Sequence, residues 1–136
     1  MNPIVRNILA VVVGALVGGV LNLQIIKNGG IIIPPPEGLI PGDMESLKEM
    51  MPSFGPEQFV VPFAAHALGT LVGAWLASMI AATHKMKFAM AIGVWFLIGG
   101  IAMSFMLPAP LWFSAVDILL AYIPMGFLGW KLAGSK

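Results

Sequence analysis

The chain has 136 residues, of which 59 % are hydrophobic and only 10 % charged, where a soluble domain carries roughly a quarter charged residues. That composition excludes a soluble globular fold and a disordered chain alike, and seven Lys and Arg against six Asp and Glu leave a net charge of +1, too little to neutralise a nucleic-acid backbone. The absence of cysteine excludes thiolate catalysis, CxxC redox chemistry and cysteine-ligated metal.

What remains is a small all-α integral membrane protein forming a single transmembrane domain over residues 1–136. A membrane helix needs about 20 mainly apolar residues. The first predicted span covers residues 5–26, bracketed by Arg6 and Lys27. It exceeds the usual signal-peptide core of up to about 15 residues and no A-x-A-like site follows it, so it is expected to stay uncleaved. Ala10, Gly14, Gly18 and Asn22 recur along it at every fourth position, the spacing that lets two membrane helices approach closely.

Residues 28–58 form a long outer loop, longer than a plain connector. Its Ile31-Ile32-Ile33-Pro34-Pro35-Pro36 stretch is expected to be extended. A short amphipathic helix follows, with Asp43 as N-cap and Pro52 as stop. Met44, Leu47 and Met51 share one face, which suits the outer interface or the mouth of the bundle, as a shield for helix ends or as a lid.

The second span, residues 59–83, repeats the small-residue row with Ala65, Gly69, Gly73, Ala77 and Ala81. Spans one and two are therefore the expected close pair. His84-Lys85-Met86-Lys87 is a basic turn suited to setting topology and meeting anionic headgroups. The third span, residues 88–107, stops at Pro108 and Pro110. The fourth covers residues 112–130, with Trp112 and Trp130 at its ends as interfacial anchors and Tyr122 and Pro124 interrupting its middle. Trp75 and Trp95, inside spans two and three, are expected to pack against neighbouring helices.

Four crossings place Arg6, Lys85, Lys87, Lys131 and Lys136 on one side, five of the seven basic residues. By the positive-inside rule that side is the cytoplasm, so both termini are expected inside. A bacterial cytoplasmic membrane is the default location of such a chain.

Ionisable groups within a span are costly and mark sites. Asp117 falls roughly 8 Å, and His66 roughly 10 Å, below the outer interface at 1.5 Å per residue. Asn22, Thr70 and Ser114 reach the same level. A carboxylate beside an imidazole can fix the ring's tautomer or pass a proton, with the neutral side chains supplying further donors and acceptors. The expected function is transport or an ion pathway with an outward-facing, proton-sensitive site at Asp117, His66, Asn22, Thr70 and Ser114, while Gly14, Gly18, Gly69 and Gly73 pack helices. A structural or accessory subunit without chemistry is the second reading. A membrane-embedded enzyme, with Ser114 or Thr70 as nucleophile and His66 as base, is the third. No HExxH, Walker or dinucleotide-binding motif is present, and no cofactor or metal is called for. The expected partners are the lipid bilayer, further copies of the chain and a small ligand or ion at the outer side.

Overall fold

The computed structural model describes residues 1–40 and 42–134; it is 80 % helical and has no strand among the described residues. The helices are α1 (Pro3–Asn28), α2 (Met44–Met50), α3 (Val60–Ile80), α4 (Lys85–Met106), α5 (Leu111–Leu120) and α6 (Ile123–Leu132). Four stretches are long and apolar enough to cross a membrane: Pro3–Ile31, Pro56–Ile80, Lys85–Met106 and Leu111–Leu132. Their outward faces are apolar, with Leu16 64 %, Leu119 68 % and Phe105 88 % exposed. This is a membrane-embedded protein, because water would not tolerate so much continuous apolar surface.

Helix α1 begins where Asn2 accepts a hydrogen bond from the Ile4 amide at 2.7 Å and Pro3 occupies the first turn, where a missing N–H costs nothing. It runs antiparallel to α3, and the two backbones touch. A Cβ on Gly14 would lie 2.6 Å from the carbonyl oxygen of Gly73, and one on Gly73 would lie 2.6 Å from that of Gly14. One turn further, Gly18 and Gly69 repeat the relationship at 2.6 and 2.8 Å. Any side chain in these four places would force the helices apart.

Helix α3 is the hub of the bundle, packing against α1, α4 and α6. On the α6 side, Gly129 lies against the backbone of Leu71 and Trp75. Helices α4 and α6 meet where Gly93 faces Gly126. Ala10, Ala74, Ala77, Ala81, Ala89 and Ile92 form the core where these helices converge. Small side chains make the core thin, so its cohesion rests on close backbone packing rather than on large interdigitating residues.

Helix boundaries depart from the expected spans in informative ways. The second span ends at Ile80 rather than Thr83, and the third starts at Lys85 rather than Phe88. Side chains explain both. Arg6 Nε donates to the Ile80 carbonyl at 3.0 Å, and Lys85 Nζ donates to the carbonyls of Ser78 and Ala81 at 2.9 and 2.8 Å. Asn7 Oδ1 accepts from the Ala82 and Thr83 amides. The unpaired carbonyls at the end of α3 thus receive cationic donors, which also suit the negative pole of its dipole. His84, with φ of 47°, supplies the left-handed residue that turns the chain into α4.

The fourth span is two helices, α5 and α6, broken at Ala121–Tyr122, with Pro124 in the first turn of α6. There the proline's missing N–H has no helical partner to lose. Trp75 and Trp95 are not packed between helices as expected: they are 38 % and 62 % exposed, because the glycine-to-glycine contacts of α3 and α4 turn their bulkier faces outward. Trp130 instead turns inward against the alanine core. Lys136 lies outside the described residues.

At the end opposite the termini, α2 starts at Asp43, whose side chain accepts from the Glu45 amide at 3.1 Å. Leu47 and Met51 rest on Phe59 and Phe113. Phe59 stacks obliquely on Phe113 at 4.6 Å and meets Trp112 edge-on at 5.5 Å.

Candidate functional site

Two helices and the break that follows the second supply the polar centre. His66 sits two turns into α3, and Asp117 lies on the inward face of α5. Tyr122 occupies the break between α5 and α6. His66 Nδ1 lies 2.8 and 3.0 Å from the two carboxylate oxygens of Asp117. Tyr122 Oη donates to Asp117 Oδ2 at 3.0 Å. Because the carboxylate accepts, the neutral ring carries its proton on Nδ1 and presents Nε2 with a lone pair. The imidazole also stacks on the Tyr122 ring, 5.9 Å between centroids and 26° between planes.

Burial grades across the cluster. The Asp117 side chain is 6 % exposed and that of His66 23 % exposed, while Tyr122 is 2 % exposed. A carboxylate this deep costs several kcal/mol unless its lone pairs are engaged, and here His66 and Tyr122 engage them. Histidine is the only member of the three with an exposed edge.

The break in the fourth span makes this possible. On an unbroken helix Tyr122, five residues after Asp117, would point about 140° away from it. Interrupting the helix at Ala121–Tyr122 swings the phenol back over the carboxylate. Gly100 of α4 makes room, since a Cβ there would collide with the phenol.

The remaining residues expected at this level are not drawn into the network. Thr70 is fully buried one turn from His66, and its Oγ1 has no hydrogen-bond partner among the described residues. Asn22 packs by its Cβ against Gly69, and its Oδ1 is likewise buried without a partner. Ser114 is half-buried on α5 and bonds neither His66 nor Asp117. Gly14, Gly18, Gly69 and Gly73 all fall in the α1–α3 contact. Among the described residues no three His, Asp or Glu side chains are grouped to share a metal ion. Tyr122 is the member that residue spacing does not reveal; its only signal is its place beside Pro124 in an otherwise apolar span.

No protein-family model matches the chain, and comparison with curated proteins and with solved structures finds no similar protein.

Proposed function

We propose that the chain is a small membrane transport or ion-pathway protein in which the His66–Asp117 pair is the proton-responsive element. The carrying observation is the gradient of exposure across one hydrogen-bonded pair, from a nearly enclosed carboxylate to an imidazole with an accessible edge. A purely structural clasp has no need of that edge, whereas a group exchanging protons does. The reading places both termini in the cytoplasm, because Arg6, Lys85, Lys87 and Lys131 gather at that end, and it opens the site toward the opposite, outer side. Four thin helices enclose little aqueous volume, so the working unit is an oligomer.

The test uses purified protein in liposomes with a pH-sensitive dye trapped inside and an imposed proton gradient. Wild type is expected to dissipate the gradient, and Asp117→Asn to lose this ability while keeping the size-exclusion profile of wild type. Equal leak in both overturns the proposal. The structural reading has its own support in the Tyr122 bond, which ties α6 to Asp117; it predicts instead that Asp117→Asn loses its folded, assembled state.

A further inference from the structure

We propose that α4 carries a binding groove for one anionic phospholipid, with the headgroup held by Lys87 and an acyl chain lying along Ala91, Trp95 and Ile98. The groove has a volume of about 550 Å³ and is lined by Lys87 at its polar end, with Met86 and Met90 beside it. It exists because Ala91 is small between larger neighbours, which leaves a trough on the outward face of the helix. Its floor and walls are open to the bilayer: Met86 is 42 %, Trp95 62 % and Ile98 60 % exposed.

Two observations select the occupant. The first is charge. The end of the bundle where Lys87 lies also carries Arg6, Lys85 and Lys131, while Glu37, Asp43, Glu45, Glu49 and Glu57 all belong to the loop end. Arg6 and Lys85 are committed to the carbonyls that end α3, and Lys131 lies over the rings of Phe127 and Trp130 at 5.6 and 5.4 Å. Among the described residues Lys87 has no hydrogen bond and no ion pair, and it is exposed at the mouth of the groove. An ammonium at headgroup level that makes no ion pair among the described residues attracts a phosphate.

The second is length. From Lys87 to Ile98 the helix rises about 16 Å at 1.5 Å per residue, which matches half of a hydrocarbon layer about 30 Å thick. A chain anchored at Lys87 therefore runs down the groove through one leaflet and ends beside Ile98. A second protein helix would need small residues along the whole contact, and the bulky, protruding Trp95 stands in the way.

The experiment titrates dioleoyl phosphatidylglycerol, and separately dioleoyl phosphatidylcholine, into the detergent-solubilised protein while thermal unfolding is followed. Phosphatidylglycerol is expected to raise Tm at concentrations where phosphatidylcholine does not. Lys87→Gln, which removes no hydrogen bond or ion pair among the described residues, is expected to leave the lipid-free Tm unchanged and to weaken the phosphatidylglycerol effect about fivefold. Ala91→Leu, filling the trough, is expected to weaken it as well, and Lys87→Arg to retain it. Equal stabilisation by both lipids, or an undiminished effect in Lys87→Gln, overturns the proposal. So does efficient disulfide cross-linking of Ile98→Cys in this cysteine-free chain with Trp95 in place, which would make a second copy the occupant.

Discussion

Tyr122 rests its phenol directly on the bare Cα of Gly100, and the same phenol oxygen donates to Asp117 at 3.0 Å. A glycine on α4 therefore sets where a carboxylate on α5 finds its partner. Gly100→Ala is expected to displace the ring, break the bond and lower stability by about 1–3 kcal/mol, the cost of losing one hydrogen bond to a buried carboxylate. Gly99→Ala is the control. A Cβ there meets open space, so tryptophan-monitored unfolding should show no loss, or a gain of about 0.5–1 kcal/mol from helix propensity.

Removing the phenol oxygen alone separates hydrogen bonding from packing. Tyr122→Phe keeps the ring against Gly100 but leaves Asp117 Oδ2 short of a donor, and it is expected to cost about 1–3 kcal/mol. Thr70→Val should behave oppositely. Its hydroxyl is buried without a partner, so replacing it by a methyl of the same shape is neutral or stabilising in denaturant titration.

Gly73→Ala sets a methyl 2.6 Å from the backbone carbonyl of Gly14, an atom that cannot rotate aside. Overpacking of this kind costs about 1–3 kcal/mol, and here the two helices must separate along their length. Gly19→Ala, on the open side of α1, should leave thermal unfolding unchanged. Equal effects at the two positions would show that the α1–α3 contact does not govern stability.

Lys85 and Lys87 are two residues apart and are expected to fail differently. Lys85→Met strips two donors from the end of α3 and should cost about 1–3 kcal/mol for the charged hydrogen bonds lost. Amide exchange should accelerate in the turn around Ala81 and Ala82. Lys87→Met should leave exchange there untouched.

The four apolar stretches are legible in the sequence because a bilayer imposes a length and a polarity that no other environment demands. The fourfold spacing of Gly14, Gly18, Gly69 and Gly73 is legible for the same reason, since close approach requires a repeat. Counting along each span also brings His66 and Asp117 to one depth, but depth says nothing of azimuth. For that reason Asn22, Thr70 and Ser114, at the same level, look equivalent to the pair, although the structure leaves their side chains outside its hydrogen bonds. Tyr122 stays hidden because helical periodicity points it away from Asp117, and only the break at Ala121–Tyr122 reverses that. Trp95 misleads for a related reason: in lipid an exposed indole carries little penalty, so size and apolarity do not predict burial.

The hub position of α3 sets an order of assembly. Its glycine-packed partner, α1, precedes it in the chain, so the antiparallel glycine pair needs nothing from α4, α5 or α6 in order to close. That hairpin then offers a finished surface onto which α4 and α6 dock, and His66 waits on it until Asp117 arrives with the last crossing. The polar centre therefore needs the last crossing, and a chain ending before α5 would hold α1, α3 and α4 with an imidazole that lacks its carboxylate.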